Sequence, residues 1–249
     1  MNVSQFISTL YEASHTHPNR HDMKIGILQT GLAPDELKPT FGEYPGFFER
    51  LLDGNGFTFE SWAVVNNIFP SGPDDAEGWL ITGSKHGAYE DHDWIPPLEQ
   101  LIRDIMDADR PLIGVCFGHQ IIAQALGGTV EKFDGGWVVG QQSYAFEDQE
   151  MTINAWHQDQ VVKAPTGATV AATSEYCKNA ALLYPGKAYT VQPHPEYGDD
   201  FIQGLIDTRG KGVVPDDLMQ KAQSRMGQPL SNAVMAKQFA TFFREGRLS

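Results

Sequence analysis

Short apolar runs of β character alternate with runs of helical spacing along the first half of the chain, and this alternation constrains the fold most. The β-type runs are KIGILQTG (24–31), FTFESWAVV (57–65), GWLITGS (78–84) and PLIGV (111–115). PGFFERLLDG (45–54) and IPPLEQLIRDIMDADR (95–110) lie between them and place apolar residues at helical spacing. Strands joined through helices predict right-handed crossovers, and so an α/β fold with a mostly parallel central sheet and helices on both faces.

The middle third of the chain has a different pattern. GGWVVGQQSYAF (135–146), MTINAW (151–156) and ATVAATS (168–174) read as short strands with no helix between them, which predicts a small antiparallel ribbon or sheet edge. AALLY (180–184) and AYTVQ (188–192) then return to the sheet. Two helices are predicted in the tail, PDDLMQKAQSRM (215–226) and SNAVMAKQFATFFREG (231–246), the second with Ser231 as its N-cap.

Charge and cysteine content exclude several function classes. A formal net charge of −14, with no stripe of Lys and Arg, argues against binding to nucleic acid or to an anionic membrane surface. The two cysteines, Cys116 and Cys177, form neither a disulfide framework nor a metal-type pair, which favours a reducing, cytoplasmic location. Residues 1–22 are polar and are predicted to be an N-terminal extension with a short helix around Phe6–Tyr11, followed by a single domain over residues 23–249.

The run PLIGVCFGHQIIAQALGG (111–128) places Cys116 in a turn between a strand and a helix. This arrangement resembles a nucleophile elbow, with cysteine where serine is common. The N-terminus of the following helix favours a thiolate, and the backbone N–H of Phe117 is placed to stabilise an oxyanion. The flanking glycines, Gly114 and Gly118, allow neighbouring backbone to come close and leave room for a substrate. The alternative is a buried structural cysteine.

A nucleophilic cysteine needs a base and a group that orients the base, and TVQPHPEYG (190–198) supplies both. His194 and Glu196 are two residues apart, so their side chains lie on the same side of an extended backbone. Pro193 and Pro195 restrict the backbone on either side of His194. By itself this motif is also compatible with a solvated turn or with half of a metal site.

Taken together, GxCxGHQ and the later QxHPE resemble the class I glutamine amidotransferases, and LITGS and HQDQV (157–161) match the same family. The resemblance extends over nearly the whole chain from about residue 24. It implies a flavodoxin-like fold and a Cys-His-Glu triad. In that triad Cys116 attacks the γ-carbonyl of a glutamine-like amide, His194 moves the proton and Glu196 orients His194.

The resemblance also implies roles around the triad. A backbone N–H of Gly83 or Ser84 is the second oxyanion donor, although the chain has Gly-Ser-Lys where the family commonly has two glycines and a proline. Gln120 is expected to line the substrate site, and His157 and Asp159 are expected close to the bound glutamyl group.

No metal or organic cofactor is implied. The loop YEDHDW (89–94) is predicted to be solvated rather than metal-binding, because the sequence shows no complementary ligand set. His119 is predicted to be a structural histidine.

Two stretches, ITGSKHGAYEDHDWIPPLEQLI (81–102) and the tail from residue 216, resemble the γ-glutamyl peptidases. The sequence therefore predicts cysteine-dependent hydrolysis of a small γ-glutamyl substrate through a γ-glutamyl thioester. One alternative is a glutaminase that supplies ammonia to a separate synthetase partner, and another is a catalytically silent binding protein.

Overall fold

The structure is a computed structural model, and it describes residues 22–248. The helix expected around Phe6–Tyr11 lies outside these residues, and the division into an extension and one domain stays a prediction. Eleven strands are formed within the described residues: β1 (Met23–Leu28), β2 (Phe57–Trp62), β3 (Gly78–Ile81), β4 (Leu112–Val115), β5 (Thr129–Lys132), β6 (Val138–Phe146), β7 (Glu150–His157), β8 (Asp159–Lys163), β9 (Thr169–Thr173), β10 (Ala181–Tyr184) and β11 (Ala188–Val191).

Nine strands form one sheet in the order β2-β1-β3-β4-β11-β10-β9-β6-β7. The first five run parallel to one another, and β10, β9, β6 and β7 continue the sheet by antiparallel pairing. The predicted α/β architecture is therefore confirmed, and the middle third of the chain forms the antiparallel edge. The predicted small antiparallel ribbon is present as a second, two-stranded sheet of β5 and β8, although these two strands are not among the runs from which it was predicted.

The described helices are α1 (Lys38–Phe41), α2 (Tyr44–Leu51), α3 (Ile95–Asp107), α4 (Phe117–Ala125), α5 (Asp199–Leu205), α6 (Asp216–Arg225) and α7 (Asn232–Glu245). Short 3₁₀ turns lie at Val64–Asn66 and Pro73–Asp75, and a π turn at Ile206–Gly210 follows α5. None of the helices within residues 22–248 is long and apolar enough to cross a membrane.

Alternate residues of the parallel strands enter two different apolar clusters, because successive side chains of a strand point to opposite faces. Trp79 and Ile81 of β3 pack with the apolar stripes of α3 and α4, whereas Leu80 between them packs with α2 and α7. All three side chains are fully buried. The sheet thus has a helical layer on each face, as predicted.

Two local predictions differ from the structure. The strand expected over 57–65 ends at Trp62, since Val64–Asn66 turns into a 3₁₀ segment. Ser231 does precede α7, but its side chain does not cap the helix. Its Oγ instead accepts a hydrogen bond from the N–H of Thr152 at 3.1 Å, so the hydroxyl joins the start of α7 to β7.

Candidate active site

Cys116 stands in a sharp turn between β4 and α4, at the carboxyl edge of the parallel strands. Its backbone has φ 53° and ψ −103°, a conformation that a residue with a side chain rarely adopts. The turn is held because the N–H of Cys116 donates to the carbonyl of Val191 at 2.9 Å and its carbonyl accepts from the N–H of Gln120 at 3.1 Å. Strained backbone of this kind costs about 1–3 kcal/mol and is concentrated at functional sites.

The two glycines beside Cys116 are required by protein packing. A Cβ on Gly118 would lie 2.3 Å from the carbonyl oxygen of Ile81, and one on Gly114 would lie 2.6 Å from the backbone of Gly118. The strand and helix therefore approach as closely as the sequence predicts. The further expectation that these glycines leave room for a substrate is wrong, because the space beside each is filled by β3 or α4.

His194 and Glu196 form a buried pair. The Nδ1 of His194 lies 2.6 Å from the Oε1 of Glu196, and the two side chains are only 3% and 2% exposed. Cys116 lies close to the same imidazole, since a Cβ on Gly83 would approach both the Cε1 of His194 at 2.9 Å and the Cβ of Cys116 at 3.7 Å. The structure therefore brings together the three residues of the predicted triad, with His194 between the carboxylate and the sulfur.

Three features of the surrounding structure position the imidazole of His194. Its face stacks on the ring of Tyr197, with ring centroids 4.1 Å apart and planes 8° from parallel. Its backbone N–H donates to the carbonyl of Asn154 at 2.8 Å, which ties the segment to β7. A Cβ on Gly83 would lie 2.9 Å from its Cε1, so glycine at position 83 leaves the ring the space it occupies.

The charges around His194 determine its protonation. Burial by itself lowers the pKa of an imidazole, but the negative charges of Glu196 and Cys116, with hydrogen bonds to both, raise the pKa of His194 to about 10. This raised pKa favours the protonated form of His194. The opposite result is found at His157, where burial and then the nearby His194 lower the pKa to about 3.

The loop after β3 carries the predicted second oxyanion donors, Gly83 and Ser84. The carbonyl oxygen of Gly83 lies 3.1 Å from the Oγ1 of Thr82 and 3.2 Å from the Oγ1 of Thr30. Both threonines are fully buried, so this oxygen is fixed from inside the protein. Ser84 is not in the left-handed region, and its Oγ accepts from the N–H of His86 at 3.2 Å.

The backbone N–H groups of Gly83, Ser84 and Phe117 have no acceptor among the described residues. Unpaired N–H groups near a nucleophile are the donors that an oxyanion requires.

The three predicted substrate-binding residues lie together on one wall of the site. The Nε2 of Gln120 donates to the backbone carbonyl of Asp159 at 2.8 Å, which connects α4 to the beginning of β8. The Nδ1 of His157 lies 3.2 Å from the same carbonyl, while its buried Nε2 has no partner among the described residues. The carboxyl of Asp159 is half-buried beside Gly87 and close to Tyr89, and burial is the main cause of its raised pKa.

A cavity of about 440 Å³ opens above Cys116 and His194, a size within the range of about 300–1,000 Å³ usual for small-molecule sites. Its walls include the residues that sequence reasoning assigned to the substrate and several that it missed. The missed residues share aromatic or cationic character: Tyr44, Lys85, Tyr89, Lys132, Trp137, Trp156, Tyr197 and Arg209. They come from distant segments of the chain, so only the fold could bring them together.

His119 and the group of His86, Glu90 and His92 also lie near the site. His119 is fully buried, with its Nδ1 2.8 Å from the Oγ1 of Thr190, which agrees with the predicted structural role. His86, Glu90 and His92 form the one group within residues 22–248 whose side chains are arranged as metal ligands could be. His86 and Glu90 also line the cavity.

Comparison with known proteins agrees with this geometry. Residues 72–200, just over half of the chain, match the family model of the class I glutamine amidotransferases. γ-Glutamyl peptidase 4 of Arabidopsis thaliana is 33% identical over 186 residues, covering 68% of this chain and 74% of that protein. A subunit of the glutamine-hydrolysing GMP synthase of Halobacterium salinarum is 32% identical over 166 residues, covering 62% and 84%.

The fold of this chain also matches that of a solved structure over most of both chains. A crystal structure of a glutamine amidotransferase from Thermotoga maritima superposes with a TM-score of 0.69 at 21% identity, covering 90% of this chain and 98% of that one. The similarity to these relatives identifies this protein as a hydrolase of the glutamine amidotransferase type. The chain belongs to the class I glutamine amidotransferase family.

Proposed function

We propose that this protein hydrolyses the γ-glutamyl amide bond of small γ-glutamyl compounds, with Cys116, His194 and Glu196 as its triad. The observation that carries the proposal is the buried Glu196–His194 pair, with its imidazole beside Gly83 and close to Cys116 in the same cavity. The pair lies at the base of a cavity large enough for a small substrate.

Acylation begins when the Cys116 thiolate, stabilised by the adjacent imidazolium, attacks the amide carbonyl carbon. A carbon–sulfur bond forms and the carbonyl oxygen takes the negative charge. His194 then donates its proton to the amide nitrogen as the carbon–nitrogen bond breaks, because its raised pKa keeps that proton available. The free amine leaves, and the γ-glutamyl group stays on sulfur as a thioester.

The N–H groups of Phe117 and Ser84 are the proposed oxyanion donors. Phe117 is the first residue of α4, so its N–H points outward from the helix N-terminus. In a trans peptide, the N–H of Ser84 points away from the carbonyl of Gly83, and that carbonyl accepts a hydrogen bond from the hydroxyl of Thr82 inside the protein. We therefore assign the second donor to Ser84 rather than to Gly83.

Deacylation returns the enzyme to its starting state. His194, neutral after acylation, takes a proton from water, and the resulting hydroxide attacks the thioester carbonyl. The carbon–sulfur bond breaks, glutamate is released, and Cys116 is again a thiolate beside an imidazolium. The net reaction consumes one water and yields glutamate and an amine.

The charges of the cavity favour an anionic substrate. Lys85, Lys132 and Arg209 all line it, and none of them forms an ion pair among the described residues. The carboxylates of Glu90 and Asp159 also line the cavity, but the three cations form no ion pair with them and can each bind a substrate carboxylate. A γ-glutamyl peptide has one carboxylate on the glutamyl group and another on its leaving group, so it uses these cations better than glutamine does.

The test is a substrate panel on the purified protein alone. It compares glutamine, a γ-glutamyl dipeptide with a free carboxylate, and the same dipeptide with that carboxylate amidated. We expect kcat/KM to be highest for the free dipeptide, and the preference over the amidated compound to shrink in Arg209→Met. A protein that forms no thioester with any of the three would contradict the proposed chemistry.

The Halobacterium relative supports a second candidate, a glutaminase that delivers ammonia to a separate synthetase. In that case the isolated chain hydrolyses glutamine slowly and does not hydrolyse the dipeptides, and its partner raises the rate of glutamine hydrolysis. The same panel therefore separates the two candidates.

A further inference from the structure

Two histidine side chains lie close to the same carboxylate oxygen of Glu90 at the rim of the cavity. The Nε2 of His92 lies 2.8 Å from the Oε2 of Glu90, and the Nδ1 of His86 lies 3.3 Å from the same oxygen. All three ligand atoms are within 4.8 Å of one another. His86 lies outside the YEDHDW segment, so the sequence pattern alone did not connect it to the other two.

We propose that His86, Glu90 and His92 form a binding site for a divalent transition-metal ion of the Zn²⁺ type. Bond lengths of about 2.0–2.1 Å at tetrahedral angles place two ligand atoms about 3.3 Å apart. The His86–Glu90 distance of 3.3 Å already matches, and the His92–Glu90 distance of 2.8 Å requires an opening of about half an ångström. Two imidazoles with one carboxylate select Zn²⁺, Co²⁺ or Ni²⁺ over Ca²⁺ and Mg²⁺.

The loop that carries the ligands is built to hold them in place. The N–H of Glu90 donates to the carbonyl of Gly87 at 3.1 Å, and the N–H of His92 donates to the carbonyl of Glu90 at 3.1 Å. The ring of His92 stacks on Trp94 with a centroid distance of 5.8 Å and an angle of 12°. Trp94 is buried and also contacts the ring of His86 at 5.9 Å, so one fixed indole orients both imidazoles.

The site remains open to solvent and close to the reaction centre. The side chains of His86, Glu90 and His92 are 22%, 44% and 33% exposed, so an ion bound to them keeps at least one position for water or another ligand. His86 and Glu90 line the same cavity as Cys116. A bound ion links the two ends of the loop from His86 to His92 and adds positive charge at the cavity rim.

The experiment removes competing ligands first. The reference variant carries Cys116→Ser, because a thiolate beside an imidazole also binds Zn²⁺, and has glutamine at three histidines of the N-terminal segment: His15, His17 and His21. Calorimetric titration with Zn²⁺ is expected to give one saturable site. Titration with Co²⁺ is expected to give the strong visible absorption of a tetrahedral ion without a thiolate band.

Further variants of this reference protein assign the site. His86→Ala and His92→Ala are each expected to weaken Zn²⁺ binding by more than the about 10–100-fold typical of outer-shell partners. The matched control is the double variant Asp91→Asn, Asp93→Asn, which removes two exposed carboxylates from the same loop and keeps all three ligands. Its Kd for Zn²⁺ is expected to lie within about threefold of that of the reference protein, since exposed charges that do not bind the ion contribute little in water.

Three outcomes overturn the proposal: no saturable binding by the reference variant, unchanged binding in both histidine variants, or equal loss in the Asp91, Asp93 control. Circular dichroism of each variant separates loss of ligands from loss of fold, and Glu90→Gln provides a third, isosteric ligand substitution. Because the reference variant lacks the nucleophile, none of these outcomes depends on the proposed hydrolysis.

Discussion

This protein has two histidine–glutamate pairs at the same spacing of two residues, and they differ chiefly in burial. His194 and Glu196 are 2.6 Å apart and almost inaccessible to water. Glu90 and His92 are 2.8 Å apart on an exposed loop, with 44% and 33% of their side chains accessible. The contact distances are nearly equal, so the surroundings decide what each pair can do.

In the proposed mechanism, burial is what allows the first pair to transfer a proton. Away from water the Glu196 charge acts strongly on His194, and the pKa of the imidazole is raised to about 10. On the loop, partial burial and the neighbouring His92 instead lower the pKa of His86. Imidazole nitrogens open to solvent can bind an ion, whereas a buried imidazolium is suited to donating a proton.

The largest expected effect comes from removing the proton donor. His194→Gln keeps a hydrogen-bonding partner for Glu196 but transfers no proton, so we expect kcat/KM for a γ-glutamyl dipeptide to fall by about 10²–10⁴-fold. His92→Gln, assayed in the presence of a chelator, should lower kcat/KM by a factor at least about 100 times smaller. Equal losses in the two variants would mean that burial does not distinguish the pairs.

Glu196→Gln should have the next largest effect and should change the pH profile. The Glu196 charge raises the pKa of His194, so its removal lowers that pKa and the imidazolium is lost at a lower pH. In the wild type the alkaline limb of kcat/KM is expected near pH 10, and in the variant at least about one unit lower. Cys116 should still react with iodoacetamide, and an unchanged alkaline limb would remove Glu196 from the triad.

A smaller effect is expected at the oxyanion loop. Thr82→Val removes a hydroxyl that lies 3.1 Å from the Gly83 carbonyl, so the Ser84 N–H becomes less well oriented. We expect kcat to fall by about tenfold with little change in KM, because the interaction acts mainly in the transition state. Thr82→Ser retains the hydroxyl and should restore most of the rate. A loss of thermal stability with kcat unchanged would show a purely structural role.

The smallest effect is expected in the stability of the exposed pair. Glu90→Gln should change the free energy of unfolding by less than about 1 kcal/mol, because water screens the charges of the loop. Glu196→Gln should destabilise the protein more, since it removes the counter-charge of a buried imidazolium. Urea titrations of both variants at pH 7 measure the difference, and a larger change at Glu90 would reverse the comparison.

Much of this molecule could be predicted because the evidence is local in the sequence. The apolar run before Cys116 and the helical spacing after it define the strand, turn and helix that the structure contains. The pairing of β5 with β8 could not be found in this way, because β8 is short and overlaps the HQDQV motif. The capping role expected of Ser231 failed for a related reason: its hydroxyl binds the backbone of β7, far away in the chain.

The sequence by itself determined the family and the proposed triad, because a nucleophile, a base and an orienting carboxylate must each be a particular residue type in a recognisable local setting. Tertiary structure alone decided the surroundings. The stacking of Tyr197 on His194, the hold of Thr82 on Gly83 and the meeting of His86 with Glu90 and His92 depend on how loops leave adjacent strands or turn back on themselves. Side chains without a motif acquire a role only when packing fixes their distances, and that information is spread over the whole chain.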